Sequence, residues 1–161
     1  MTKTFKLPLA FIALACTLPV AAPALAQDGV LVVSQSALQQ WQNDRTKELD
    51  RLLQSDRDPF GRPLSGIVQV SFTLDEDGRP TGLENVHNSA GVASQRIARW
   101  AVSQLRDLDS VPLASADGVR FQANIIFAAN ERERDAFAAE LAAMESARLA
   151  TAETGTVIAI G

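Results

Sequence analysis

Two stretches of the chain alternate between apolar and polar residues, which is typical of β-strands with one buried face. The first stretch begins at Gly66, and the second runs from Val119 to Ala128. Their apolar positions are Val68, Val70, Phe72 and Leu74 in the first, and Val119, Phe121, Ala123, Ile125 and Phe127 in the second. We therefore predict two strands that each bury one side in a shared core.

A hairpin turn is predicted directly after the first strand. Residues 75–78 read DEDG, and an Asp-Gly pair favours a tight turn because both residues tolerate positive φ. A second, weaker strand is then predicted from about Thr81 to His87, with Leu83 and Val86 as its main apolar residues.

Three segments carry the apolar spacing of amphipathic helices. Ser36 with Gln39, and Asn130 with Glu133, form the pattern of a capping box, in which the two side chains of each pair bond to free backbone N–H groups. Their main apolar residues are Leu38, Trp41, Leu49, Leu52 and Leu53; Ile97, Trp100, Ala101, Leu105 and Leu108; and Phe137, Leu141 and Met144. The predicted helices cover about 36–54, the residues after the turn at 88–91 up to about 108, and about 130–150.

These elements predict an α+β fold: a small antiparallel sheet of about three strands with one helix packed across it, plus flanking N- and C-terminal helices. We expect the opposite face of the sheet to remain wet, because its residues are Gln69, Ser71, Thr73, Arg120, Gln122 and Asn124. The predicted organisation is a signal peptide (1–26), an N-terminal helix and loop (27–63), a central domain (64–130), and a C-terminal helix with an apolar tail (131–161).

Residues 1–26 have the layout of a cleaved secretory signal peptide. Lys3 and Lys6 precede an apolar run over 7–20, and a small-x-small cleavage site follows at 24–26. Cleavage would remove two lysines and no acidic residue, so that the formal net charge changes from −4 to −6 and 135 residues remain. We therefore predict a periplasmic protein, with a lipid anchor at Cys16 as the alternative.

The charge and the cysteine content exclude several kinds of chemistry from the predicted mature domain. Cys16 is the only cysteine of the chain, and it lies inside the predicted signal peptide, so disulfides and thiol catalysis are not expected. The negative net charge argues against nucleic acid or an anionic membrane as a partner, because both favour basic surfaces.

No residue pattern predicts a catalytic, cofactor or metal site. His87 is the only histidine, and one imidazole without cysteine does not make the usual zinc site. The acids at 75–77 fit a hairpin turn better than a calcium loop, and the positions of Trp41 and Trp100 on apolar helix stripes predict core packing. We therefore expect a protein that is not an enzyme and uses no cofactor or metal.

A protein without a catalytic site can still bind a partner at the edge of its sheet, because an edge strand can accept an extended partner peptide as an additional strand. Three segments point in this direction: SGIVQVSFTLDEDGRPTGLENVHNSAG, SQRIARWAVSQL and GVRFQANIIFA. Together they resemble the C-terminal domain of the TonB family of periplasmic energy transducers. The family's hairpin pattern, G-x-V-x-V-x-F-x-L/I-D-x-D-G, matches Gly66 to Gly78, and its turn pattern, V-x-x-S-S-G, is matched at Val86, Ser89 and Gly91.

The resemblance covers about residues 64–129 and implies a partner. TonB C-terminal domains bind the TonB box of outer-membrane receptors, an extended peptide, along the edge of their last strand. Carried over to this chain, the contact falls on Arg120, Gln122, Asn124 and Ile126 with their backbone. Envelope proteins, including TonB-dependent outer-membrane receptors, are therefore the implied partners.

The chain also departs from the family pattern. It is predicted to have neither the uncleaved membrane helix nor the long proline-rich spacer of the transducers, so we expect a stand-alone adaptor that does not transmit proton-motive force. A TolA-like domain, or a self-assembling and homodimeric envelope protein, is the alternative. The apolar segments 30–33 and 157–160 suggest that one of them pairs with the exposed sheet edge and caps it; a disordered tail is the alternative for the second segment.

Overall fold

The two alternating stretches form the central strands of a four-stranded sheet. The computed structural model describes residues 35–55, 61–113, 118–151 and 156–161, and all of them fall in one compact unit, Leu31–Gly161. The elements are α1 (Gln35–Gln54), β1 (Gly66–Leu74), β2 (Pro80–Asn88), α2 (Gly91–Ser103), a short 3-10 helix (Leu108–Ser110), β3 (Arg120–Phe127), α3 (Glu131–Thr151) and β4 (Val157–Ile160).

The α+β fold is confirmed, with one strand more than the three or so that were expected. The strand order is β2-β1-β3-β4. The β1–β2 and β1–β3 pairs are antiparallel, whereas β4 lies parallel to β3, so the sheet is mixed. The additional strand comes from the apolar tail of the sequence.

One face of the sheet carries the apolar core. Val68 pairs with Ile125, Val70 with Ala123 and Phe72 with Phe121 across β1 and β3, which brings the apolar side chains of both strands to the same side. The rings of Phe72 and Phe121 stack with centroids 5.4 Å apart, and α2 packs over these strands. Burial of this face is the main contribution to the stability of the fold.

The helix α2 ends at Ser103, earlier than the predicted end near Leu108. The chain leaves the helix at Gln104 and takes a left-handed conformation at Asp107, where φ is 51°. Leu105 and Leu108 are nevertheless fully buried. The apolar spacing predicts a longer helix than the one that forms, because the residues after the helix supply apolar side chains to the same core.

The helix α1 adds a large aromatic side chain to this core. Trp41 is buried, its ring centroid lies 6.1 Å from that of Phe121, and its indole Nε1 donates to the hydroxyl of Ser110 at 3.2 Å. The prediction of core packing for Trp41 is confirmed. Ser36 is the second residue of the helix as described, and the residues before Gln35 lie outside the described ranges, so the capping box at Ser36 stays a prediction.

The centre of the opposite face of the sheet is not wet, contrary to the expectation from its polar residues, whereas Thr73 and Arg120 at its margin are exposed as expected. Gln69, Ser71, Gln122 and Asn124 are buried, and α3 packs against β1 and β3. The expectation failed because a polar face can be covered when the covering helix brings partners for its hydrogen bonds.

None of the helices within the described ranges is long and apolar enough to cross a membrane. The predicted signal peptide and the segment 30–33 lie outside the described residues.

Candidate functional site

The four residues that the resemblance singled out lie on one strand, β3, and alternate along it. Arg120 is exposed and lies 3.6 Å from the carboxylate of Glu84 on β2. Gln122 and Asn124 are buried, whereas Ile126 is half-buried. Their side chains point towards the face that α3 covers, so the two central residues of the set are out of reach of a partner's side chains.

The edge of β3 is occupied over its first half by the chain's own β4. The register runs from Arg120 opposite Val157 to Ala123 opposite Ile160, and the N–H of Arg120 donates to the carbonyl of Thr156 at 3.1 Å. The hypothesis that the segment 157–160 caps the sheet edge is confirmed. Whether a partner binds at Arg120, Gln122, Asn124 and Ile126 stays a prediction.

The side chains of β4 enter the core from one side of the strand only. Ile158 and Ile160 are 4% and 1% exposed, while Val157 and Ala159 between them are half-buried. Two β-branched side chains therefore anchor a strand of only four residues, because each of them fills apolar space on the α2 face of the sheet.

On the outer side of β4, side chains of α1 form hydrogen bonds with the backbone of Ala159 and Gly161. The amide Nε2 of Gln42 donates to the carbonyl of Ala159 at 2.8 Å, and the N–H of Gly161 donates to the hydroxyl of Thr46 at 3.0 Å. Both contacts involve backbone atoms, of β4 and of the residue that follows it, and are therefore independent of the β4 side chains. They occupy two of the backbone groups that an edge strand would otherwise present to another chain.

The second half of β3, Asn124–Phe127, continues past the end of β4. The backbone N–H of Arg120 points to β4, and alternate residues of a strand direct their backbone groups to the same side, so those of Ile126 face this side as well. The register between the two strands stops at Ala123. In the described part of the chain, Ile126 therefore has no strand beside it on this side.

A groove of about 810 Å³ lies along the second half of β3, between α1 and α3. It is continuous with the β4 site, since Val157, Ala159 and Gly161 also line it. Its apolar wall includes Leu53 of α1, Ile126 of β3, and Ala138, Leu141 and Leu149 of α3. Leu149 is 67% exposed. The groove can accommodate an extended apolar segment.

A polar network holds α3 over the sheet and forms one wall of the groove. The carboxylate of Glu145 accepts from the amides of Gln69 and Gln122 at 3.0 and 2.6 Å, and from the guanidinium of Arg148 at 2.9 Å. Both glutamines also donate to Oδ1 of Asn124 at 2.9 Å. The network satisfies the buried amides, which would be costly to leave without partners.

The first turn of α3 is fixed by the predicted capping box. The N–H of Glu133 donates to Oδ1 of Asn130 at 3.0 Å, and the Glu133 carboxylate accepts from the N–H of Ala129 at 3.1 Å. The Ala129 N–H, helped by the hydroxyl of Ser65 and by the Asn130 side chain, lowers the pKa of Glu133 below its ordinary value of 4.5.

The acidic residues at 75–77 belong to the hairpin turn, and His87 lies in strand β2. Oδ1 of Asp75 accepts the N–H groups of Asp77 and Arg79 at 3.0 and 2.8 Å, which confirms the hairpin turn. His87 pairs with Gln69 across β1 and β2, and its Nε2 is buried without a hydrogen-bond partner. Within the described ranges, no three His, Cys, Asp or Glu side chains are placed to hold a metal ion.

Sequence reasoning missed three residues of this site: Gln42, Thr46 and Glu145. Gln42 and Thr46 lie on the polar side of α1, where no periodic pattern distinguishes a side chain that reaches a backbone carbonyl from a solvated one. Comparison with protein-family models, curated proteins and solved structures gave no match.

Proposed function

We propose that the chain is a non-catalytic protein-binding module that binds an extended peptide by strand addition at the β3 edge. The observation that carries this proposal is β4. A short apolar segment pairs in parallel with β3 at the edge that the TonB resemblance assigns to a partner. An edge that accepts one extended segment through backbone bonds can accept another of similar pattern, because those bonds do not depend on sequence.

The side chains around β4 support the same proposal. Ile158 and Ile160 occupy buried apolar positions, so the site offers sequence preference at alternate residues in addition to backbone pairing. Gln42 binds the carbonyl of Ala159 and would bind a carbonyl of a partner strand in the same way.

The proposed setting is the periplasm, and the proposed partners are envelope proteins. The signal-like residues 1–26 and the net negative charge of the chain support export and binding to protein. The resemblance over 64–129 supports TonB-dependent outer-membrane receptors as the partner class. Because a stand-alone adaptor needs only the sheet edge, this function does not require a membrane helix or an energy source.

Self-association is the second candidate, and β2 favours it. This strand lies at the other edge of the sheet and exposes Val86 to 55%. Its pairing with β1 is interrupted at two positions, however, and such irregularities disfavour edge-to-edge pairing.

A photo-crosslinking group on β3 tests the proposal. The substitution I126C, in a chain that also carries C16S, gives a single thiol for attaching the group to the second half of β3. The probe is a synthetic peptide with a TonB box of an outer-membrane receptor, and E140C on the exposed side of α3 is the matched control.

We expect the peptide to be crosslinked from position 126 and not from position 140, because only position 126 lies beside the proposed strand site. Equal crosslinking from both positions, or none from either, would contradict the proposal. Crosslinking of one copy of the chain to another, without capture of the peptide, would favour self-association.

A further inference from the structure

The half-covered edge of β3 raises the question of how a partner could compete with β4. A segment of the same chain is present at an effective concentration that reaches the millimolar range for short flexible connections, and this advantage has to be overcome by a partner. A peptide that makes only the contacts of β4 cannot do so at ordinary concentrations. Additional contacts next to the β4 site are therefore needed.

We propose that the groove between α1 and α3 supplies these contacts, and that the partner is an apolar, extended segment longer than β4. Such a segment replaces β4 opposite Arg120–Ala123 and continues in line opposite Asn124–Phe127. This inference rests on the proposed function and adds to it the partner's length and the reason for its preference over β4.

Continuity of the two surfaces supports this occupant. Val157, Ala159 and Gly161 line the groove together with Asn124 and Ile126, so the path of β4 leads directly to the groove. Ile126 offers a backbone N–H and C=O on this side, and the side chains of Leu53 and Leu141 provide apolar surface. An extended apolar segment satisfies both features, whereas a helix would leave the backbone of Ile126 without a partner.

Gly161 marks the point at which β4 stops following β3. Its φ is +116°, and a Cβ at this position would overlap the carbonyl oxygen of Asn124. Its N–H is directed to Thr46 of α1. A partner that replaces β4 would therefore need a glycine or a small local adjustment opposite Asn124 before it continues along the groove.

The charged residues at the groove are of both signs. Arg134 and Arg148 lie on its α3 side, and Glu145 and Asp50 also line it. Glu145 is already paired with Arg148. Among the described residues, the groove therefore has no excess charge of one sign, and its apolar lining favours an uncharged apolar segment.

Two peptides separate this inference from the proposed function. The peptide TVIAIG copies residues 156–161, and TVIAIGVTV extends it by residues that would lie opposite Ile125, Ile126 and Phe127. Binding of each, with a fluorophore at its N-terminus, is measured by anisotropy on the full chain and on the variant I158S/I160S, whose β4 lacks its two buried anchors. Circular dichroism verifies that the variant retains its fold.

On the unaltered chain we expect TVIAIGVTV to bind about tenfold more tightly than TVIAIG, because the extension adds backbone bonds and buried apolar surface. On I158S/I160S, both peptides should bind more tightly than on the unaltered chain, by roughly a hundredfold, the lower end of what loss of an intramolecular competitor typically gives. If the variant binds both peptides equally and the unaltered chain does not prefer the longer one, the groove inference is overturned while strand addition stands. Failure of both peptides on both chains would overturn strand addition itself.

Neighbouring alanines of α3 provide a control that leaves β4 unchanged. Ala138 lines the groove, whereas Ala139 is exposed and does not line it. We expect A138R to abolish the preference for TVIAIGVTV over TVIAIG, and A139R to preserve it. An equal effect of the two substitutions would overturn the assignment of the groove.

Discussion

The two faces of the sheet are both covered by helices, but opposite kinds of side chain hold the helices in place. On the α2 side, Val70, Phe72 and Phe121 are no more than 1% exposed and pack against apolar residues of α2. On the α3 side, buried glutamines bond to Glu145, and no residue of α3 itself is buried.

The difference matters because water can replace a hydrogen bond but not buried apolar surface. A fully buried large apolar side chain contributes about 1.5–3 kcal/mol, whereas a net hydrogen bond contributes about 0.5–1.5 kcal/mol. The α2 face therefore fixes the fold, and α3 is the element that can loosen at low cost. Since α3 forms one wall of the groove, the more adaptable face is also the one beside the proposed site.

The largest expected effect comes from the apolar face. Phe121→Ala removes a ring that contacts both Phe72 and Trp41, and we expect a loss of about 3–5 kcal/mol in the free energy of unfolding. Urea denaturation measures this loss. The control is Phe127→Ala on the same strand, where the side chain is only half-buried; an equal loss for both would show that the depth of burial on this face does not set the size of the effect.

The second-largest loss of stability is expected at Gly66, where β1 lies against the backbone of the turn before α2. A Cβ at Gly66 would lie 2.7 Å from the backbone N of Ala90, and φ is +148°, so Gly66→Ala forces apart β1 and the turn before α2. We expect a loss of about 2–3 kcal/mol in urea denaturation. Gly118→Ala also has a positive φ, +73°, but has open space around it, and it should lose clearly less; a similar loss in both would show that the contact with Ala90 adds nothing.

A substitution in the polar network beneath α3 should destabilise α3 and leave the rest of the fold nearly unchanged. Glu145→Ala removes the acceptor shared by Gln69, Gln122 and Arg148, and the expected loss is about 1–3 kcal/mol, chiefly in the docking of α3. Hydrogen exchange should accelerate in α3 while β1 and α2 remain protected. The matched variant Glu140→Ala lies on the exposed side of the same helix and should leave the exchange of α3 nearly unchanged. Uniform acceleration over the whole chain would contradict the distinction between the two faces.

The smallest effect concerns the start of α3 and depends on pH. Because the N–H of Ala129 lowers the pKa of Glu133 in the folded chain, its ionised form stabilises the folded state. This contribution is present above the ordinary pKa of 4.5 and is lost as the pH falls through the lower, folded value. Glu133→Gln should therefore reduce stability at neutral pH and weaken the loss on acidification, as followed by circular dichroism.

Glu131→Gln is the control for this prediction, because it removes the same charge from the first turn of α3 without touching the capping box. It should leave the acid dependence of stability close to that of the unaltered chain. If both variants alter it equally, the effect arises from charge near the helix terminus and not from the bond to Ala129.

The local parts of this structure could be predicted from the sequence, because local patterns encode them. The alternation around Val70 and Phe121 predicted both central strands and their common buried face. Asn130 and Glu133, three residues apart, predicted the start of α3. In these cases the interacting residues are close in sequence or repeat with the period of a secondary structure element.

The long-range parts could not be predicted in the same way. Gln69, Gln122 and Glu145 meet only in the folded chain, and their polarity alone suggested a wet face. The terminal segment 157–160 is apolar and β-prone, which indicated a strand but not which edge it joins. Gln42 and Thr46 bond to backbone groups of Ala159 and Gly161, and such bonds are not visible in the pattern of apolar residues.

The most direct test of the account is amide hydrogen exchange of the full chain, measured by nuclear magnetic resonance with and without TVIAIGVTV. In the free chain, the amides of β4 should be protected, and that of Ile126 should exchange faster than those of the β3 residues opposite β4. At saturation with the peptide, we expect Ile158 and Ile160 to lose protection while Ile126 gains it. Bound peptide with unchanged exchange at all three positions would contradict strand addition at this edge.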